Sequence, residues 1–163
     1  MKITIVYDSI FGNTAQIARA IALPLKQANA VRLLNVQEAR DTDLADTDLL
    51  IVGSPTRGFR PTPSISEYVE GLGEAGGKAA AVFDTRIELE TIQPAPLRWV
   101  VDAGGYAASR VASSLAKRGF VVSPDTAGFL VTGTEGPLKS GELERAAAWA
   151  TKLVAAASRS AIG

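Results

Sequence analysis

Tyr7 to Ala18 reads YDSIFGNTAQIA and follows the apolar run Ile3-Thr4-Ile5-Val6. Between a strand-like run and a helix-like stretch beginning at Asn13, the loop Ser9 to Thr14 holds two hydroxyls, an Asn and one Gly. A loop that enters a helix presents unpaired backbone N–H groups and the positive end of the helix dipole, which suits an anion. Gly12 lets the backbone come close to that anion, and Ser9, Asn13 and Thr14 add side-chain donors. The turn is expected to hold a phosphate. The competing reading is that Ser9 or Asn13 only caps the first helix. The loop is not of the GxxxxGK[ST] type, which needs a Lys that is absent, nor of the GxGxxG type, since it has one Gly.

Outward from this turn, short β-rich runs alternate with Ala-rich helical stretches, the pattern of an α/β domain with a parallel sheet. Lys2–Tyr7, Val31–Val36, Asp48–Gly53, Ala79–Phe83 and a region from Phe120 read as strands. Three of them are nearly continuous in apolar residues, as strands covered on both faces are. Helices are expected from Asn13 to about Ala28, interrupted at Pro24, from Tyr106 to Arg118 before Gly119, and from Gly141 to Ala157. The last carries Leu143, Ala146, Ala147, Ala150, Leu153, Val154 and Ala157 on one stripe. A weaker, Pro-bounded helix is expected from Ile65 to Leu72, and the tail SRSAIG is expected to fray. The 163 residues make one domain, a doubly wound three-layer α/β fold with a five-stranded parallel sheet of order 2-1-3-4-5. That order puts a ligand at the carboxyl ends of strands 1 and 3, so the loops Asp8–Thr14 and Ser54–Pro63 matter most. The loop starting near Asp84 lies beside them.

Composition removes several chemistries. The chain has no cysteine, hence no disulfide, thiol catalysis or iron–sulfur ligand, and no histidine, the commonest general base and metal ligand. Redox chemistry would have to reside in a bound cofactor. A Ser-His-Asp hydrolase is excluded, and no zinc-type ligand cluster is present. With 17 basic and 17 acidic side chains the net charge is zero, so no global field favours nucleic acid or an anionic membrane. The start MKITIVYDS does not read as a secretory leader, and no segment approaches the roughly 18 apolar residues that span a bilayer. A cytoplasmic protein without membrane insertion is expected.

Ile5 to Ile21, IVYDSIFGNTAQIARAI, resembles the first-strand signature of the flavodoxin family at every defined position: two aliphatics, an aromatic, then Ser9, Gly12, Thr14, Ala18 and Ile21. DLLIVGSPTRGF, Asp48 to Phe59, resembles that family's third strand and the loop that folds over the flavin ring. FVVSPDTAGFLVTG, Phe120 to Gly133, has only a short break between its halves, as in the short-chain type. The resemblance spans most of the chain and implies a flavodoxin-like fold with noncovalent FMN. It places the phosphate on Ser9, Ile10, Phe11, Gly12, Asn13 and Thr14. Pro55, Thr56, Arg57 and Gly58 match the segment whose peptide flips toward the flavin N5 when the flavin takes up one electron. The backbone of Asp84, Thr85 and Arg86 would meet the pyrimidine edge.

Three features depart from the family. Arg57 stands where many flavodoxins have a stacking Trp or another apolar residue, and is either a solvated charge or a flavin contact. Phe59, which follows, either packs in the loop or touches the flavin. The Tyr that often covers the outer flavin face is missing after strand 4, leaving Trp99 and Tyr106 as substitutes or as packing residues of the next helix. Finally, flavodoxins are typically acidic while this chain is neutral, with Arg57, Arg60 and Arg86 near the expected site. A guanidinium there would stabilise a reduced, anionic flavin. The acids crowd instead into EARDTDLADTD, Glu38 to Asp48, which reads as a solvated loop and helix cap.

These readings lead to an FMN-binding electron carrier, serving redox partner proteins as a monomer or weak dimer. The alternatives are an FMN-dependent reductase of quinones or similar acceptors, and a flavodoxin-like module with weakened FMN binding that serves as an interaction or other phosphoryl-ligand domain. A response-regulator receiver has the same architecture but needs an acidic cluster at the first strand's end and a Lys after strand 5. Asp8 stands alone and that Lys is absent.

Overall fold

The structure, a computed structural model, describes residues 1–88 and 106–162. The sheet is parallel throughout. Strand β1 (Lys2–Tyr7) lies between β2 (Ala30–Asn35) and β3 (Leu49–Pro55), β4 (Ala79–Ile87) follows β3, and β5 (Val121–Val122) and β6 (Ala127–Val131) share the fifth position beside β4. The order 2-1-3-4-5 expected from the sequence is therefore the one observed. Around the sheet run α1 (Asn13–Leu25), α2 (Val36–Ala39), α3 (Pro63–Glu70), α4 (Ala107–Lys117) and α5 (Glu142–Ile162).

Alternation along the strands builds two cores. Ile3, Ile5, Leu49, Ile51, Ala81 and Phe83 face α1 and α5, while Val6, Leu50, Val52, Ala80 and Val82 face α2, α3 and α4. Because side chains alternate with a period of two, a β3 that is buried on both faces must be apolar at every position from Leu49 to Val52. On the first face Phe83, Phe129 and Trp149 meet edge to face, with centroids 6.1–6.2 Å apart. Gly53 makes room for this cluster, since a Cβ there would lie 2.0 Å from the Phe83 ring.

The structure corrects several boundaries. β4 runs to Ile87 rather than ending at Phe83, because β3 and β6 continue beside it: Ser54 and Pro55 pair with Asp84 and Thr85, and Gly128 to Val131 pair with Asp84 to Ile87. Asp84, Thr85 and Arg86 therefore belong to a strand, not to a loop. α1 stops at Leu25, one residue past Pro24. α5 continues to Ile162, beyond the end expected near Ala157. Its buried stripe is Ala146, Trp149, Ala150 and Leu153, with Leu143 turned out at 41% exposure. The short α2 is held by a capping box, in which Asn35 Oδ1 accepts from Gln37 N and Glu38 Oε1 accepts from Asn35 N. Other members of the acidic stretch also act locally, Asp43 accepting from Ala45 N and Asp48 from Lys2 N.

The outer edge of β6 is closed by side chains of α5 and by the backbone of Lys139. Glu142 Oε2 accepts from Leu130 N at 2.6 Å, Lys139 N donates to Leu130 O, and Arg145 donates to Gly128 O and to Glu142, which removes the open groups through which an edge strand recruits another chain. Burial alone would raise the Glu142 carboxyl, but the hydrogen bonds from Arg145 and Leu130 and the charges of Arg145 and Lys139 hold it below its ordinary 4.5. A group lowered in the folded state contributes stability above its unfolded value and loses it as pH falls through the folded one. Glu142→Gln is therefore expected to cost about 1–2 kcal/mol near neutral pH. Urea unfolding across pH should show that difference shrinking below about 4.5; a difference independent of pH would contradict the assignment.

Candidate functional site

At the carboxyl ends of the strands, where the winding reverses between β1 and β3, a cleft of about 200 Å³ is lined by residues from four connections. Ser9, Ile10, Phe11, Asn13 and Thr14 come from the β1–α1 turn; Pro55, Thr56, Arg57 and Gly58 from the end of β3; Thr85, Arg86 and Ile87 from β4; Val131 and Thr134 from β6 and beyond. Of the expected site residues, Gly12, Phe59 and Asp84 do not line it. Val131, Thr134 and Ile87 were not foreseen, although their places at the carboxyl ends of strands beside the switch point are the signal that finds them.

The β1–α1 turn is shaped by one residue. Gly12, with φ 92°, sits left-handed at the N-cap of α1 and makes no side-chain cap. Ser9 supplies the cap from further back: its Oγ accepts from Gly12 N at 3.1 Å and from Ala15 N at 3.2 Å. Both lone-pair positions are then filled, so the hydroxyl hydrogen is left to donate. The N–H groups of Asn13 and Thr14, in the first turn of α1, have no intrahelical acceptor by construction. Capping by Ser9 therefore leaves the Asn13 and Thr14 N–H groups open, so the cap does not exclude an anion at this turn.

Two contacts lock the turn to its neighbours. Thr14 and Thr85 share a buried hydroxyl pair at 2.8 Å, tying α1 to β4. Asn13 Nδ2 donates one of its two hydrogens to Glu135 O at 3.1 Å, so its amide holds the β6–α5 loop. Gly136 allows this approach: its φ is 104°, and a Cβ would meet Asn13 Oδ1 at 2.6 Å.

Across the cleft, Arg57 and Arg60 exchange backbone hydrogen bonds at 2.7 and 3.0 Å around a two-residue turn. Gly58 and Phe59 both have positive φ, 55° and 68°. Among the described residues Phe59 is the one non-glycine in that region, a strain of about 1 kcal/mol or more. Its carbonyl accepts from Arg110 Nε at 2.9 Å. The Arg57 guanidinium lies 5.4 Å from the centroid of Phe11, joining the two loops by a cation–π contact. Phe11, 42% exposed, is the aromatic that faces the cleft among the described residues.

Asp84 and Arg86 form the floor of the β4 side. Arg86 Nε and Nη2 donate to Asp84 Oδ1 and Oδ2 at 2.7 and 2.9 Å, and Ala108 N donates to Asp84 Oδ2 at 2.9 Å. Burial pushes the Asp84 carboxyl above its ordinary range, while Arg86, Ala108 and Thr56 pull it back. The guanidinium stacks 3.6 Å from the Tyr106 centroid and packs on Gly128, where a Cβ would come within 2.2 Å of it. Arg86 is thus a neutralised cation, and Tyr106 is engaged by it. Trp99, the other expected aromatic, lies outside the described residues.

A five-stranded doubly wound sheet with this turn at its switch point agrees with a family match: the Flavodoxin domain matches residues 4–86 of the 163. The chain belongs to the flavodoxin family. The solved flavodoxins and related chains share its fold at low identity. Flavodoxin 2 of Bacillus cereus is 22% identical with a TM-score of 0.70, covering 93% of this chain and 96% of that one. A mutant Fusobacterium nucleatum flavodoxin solved with flavin mononucleotide is 17% identical with a TM-score of 0.61, at 92% and 93% coverage. Rubredoxin:oxygen oxidoreductase of Desulfovibrio gigas is 19% identical with a TM-score of 0.72, but the match covers 97% of this chain and 36% of that one.

Higher identity is local. Over 69 residues this flavodoxin-family chain is 42% identical to diflavin flavoprotein A 5 of Nostoc sp., which is 39% of the chain and 12% of the relative. Among the described residues no helix is long and apolar enough to cross a membrane, and no cluster of metal-ligating side chains occurs.

Proposed function

We propose that the protein binds FMN noncovalently in this cleft and carries electrons between redox proteins. The observation that carries the reading is the convergence, in one cleft, of a phosphate-type turn with an apolar wall. The turn offers the Ser9 hydroxyl and the orphan N–H groups of Asn13 and Thr14; the wall is Ile10, Phe11, Pro55, Ile87 and Val131. Membership of the flavodoxin family supports it, as does the flavin mononucleotide bound by the Fusobacterium nucleatum flavodoxin. FMN, when bound, supplies one- and two-electron chemistry. The protein's own residues then only hold, shield and tune it, in keeping with a chain without His or Cys.

Residues already in place fit that task. The Ser9–Thr14 turn would hold the phosphate, Thr56 to Gly58 and Phe11 the ring faces, and Thr85 and Arg86 the polar edge. At about 200 Å³ the cleft is below the ~300–1,000 Å³ usual for organic ligands, so seating the ring requires the cleft to widen. With Arg86 neutralised by Asp84, Arg57 is the cleft-lining cation left to favour a reduced, anionic flavin. Arg57→Ala is expected to make the potential of the fully reduced couple more negative, and potentiometric titration checks this. An unchanged potential would remove Arg57 from that role.

The direct test of the reading is an absorbance spectrum after incubation with FMN and removal of excess. A bound-flavin spectrum is expected; a colourless protein at micromolar FMN overturns it. Because the match covers 12% of the diflavin relative and 36% of the oxidoreductase chain, the same unit also suits delivery of electrons to another domain or protein. Oxidation of NAD(P)H by the loaded protein unaided would instead favour the reductase. A cytoplasmic location and a monomer or weak dimer belong to the same proposal.

A further inference from the structure

Among the large apolar side chains exposed in the described residues, Ile10 and Phe11 line the cleft already described. Leu23 of α1, 70% exposed, and Leu143 of α5, 41% exposed, line a different hollow of about 660 Å³ on the outside of these two packed helices. Ala20, Pro24 and Ala147 extend its apolar lining, and no residue lines both the hollow and the cleft. Along α1, Arg19, Leu23 and Lys26 stand at i, i+4 and i+7, so two cations flank the leucine on one face. α1 contains no acid, and the acid that lines the hollow is Glu144 of α5. Arg19, Lys26 and Glu144 are exposed, and among the described residues their side chains form no ion pair.

We propose that this face pairs two copies of the chain about a two-fold axis, with α1 of each copy laid against α5 of the other. A two-fold interface uses the same patch on both sides, so each contact is made twice with the roles exchanged. A cationic half and an anionic half joined by leucines match themselves under that operation. Leu23 of each copy meets Leu143 of the other, and Arg19 and Lys26 of each bracket Glu144 of the other, a pairing the single chain does not make. A partner of one charge sign would set like charges against either Glu144 or the two cations, which favours a second copy. The hollow is lined by 11 residues, fewer than the ~20–30 a side of a stable complex, so the dimer is weak. The pairing leaves both clefts open, and it does not depend on the electron-carrier reading.

Sedimentation equilibrium of the protein without flavin tests this, with circular dichroism to verify that each variant is folded. The average mass should rise from one chain toward two between about 10 μM and about 1 mM, the range expected of so small an interface. Leu23→Ser should raise the dissociation constant by about tenfold or more, because the pair loses that contact twice. Glu144→Lys should weaken association, and so should Arg19→Glu with Lys26→Glu, since each sets like charges opposite one another. Mixed in equal amounts, these two charge variants should associate more tightly than either does alone, because opposite charges return at both contacts. Glu70→Lys makes the same charge change as Glu144→Lys, but on α3 across the sheet, and should leave association as it is. A mass of one chain at every concentration, association that runs past two chains, or charge variants that show no preference for each other would overturn the proposal. A protein that dimerises in this way but fails to load FMN would keep the pairing and lose the electron carrier.

Discussion

Asp84→Ala should destabilise the protein by about 3 kcal/mol, the lower end of the range for breaking a buried ion pair from one side. The carboxylate is fully buried and accepts two hydrogen bonds from Arg86 and one from Ala108 N. Its removal leaves a guanidinium held between Tyr106 and Gly128 with no counter-charge, and the first turn of α4 with one N–H unanswered. The Arg86 side chain keeps 22% of its exposure, which lets water recover part of the loss and sets the figure at the lower end. Urea unfolding measures it. Asp84→Asn, which can still accept from Ala108, should fall between the two proteins. A loss below about 1 kcal/mol in Asp84→Ala would mean that Arg86 finds another acceptor and that the pair does not organise the β4 side.

The second large effect concerns the β1–α1 turn. Ser9→Ala should weaken FMN binding by about ten- to a hundredfold, the equivalent of one hydrogen bond to a charged group. The Ser9 oxygen is saturated by Gly12 N and Ala15 N, so its own hydrogen points elsewhere, and a phosphate is the acceptor the turn can offer it. Thr14→Val should act differently. It keeps the volume but leaves the buried Thr85 hydroxyl without its 2.8 Å partner, and therefore lowers stability as well as affinity. Flavin fluorescence quenching gives the affinities and circular dichroism confirms folding. FMN affinity within twofold of the parent in Ser9→Ala would place the phosphate outside the turn.

Much of this was legible in the residues themselves. β1 has the bounds its apolar run gives, Pro24 marks the end of α1 to within one residue, and the strand order follows from the alternation of elements. What escaped the sequence depended on pairing at a distance. The polar triplet Asp84-Thr85-Arg86 looks like a loop until β3 and β6 supply ladder partners on both sides. α2 is too short for periodicity, although Asn35 and Glu38 at capping-box spacing mark it. On α5 an Ala-rich stripe can be drawn at more than one rotation, and the bulky Trp149, not Leu143, shows which is buried. Asp84 and Arg86 sit two apart on one strand, hence on one face, which the sequence could have revealed. The left-handed Phe59 could not have been read: most aromatic residues in loops have negative φ, and only the Arg57–Arg60 closure imposes the exception.

Flavin binding in this cleft depends above all on whether the Ser9–Thr14 turn holds the phosphate. Titration of the protein with FMN and, separately, with riboflavin, which lacks the phosphate, measures this by fluorescence or calorimetry. FMN should bind about a hundredfold or more tightly, as expected for charge-assisted hydrogen bonds made only to the phosphate. Equal affinities for the two flavins, or no binding of FMN at micromolar concentration, would contradict it.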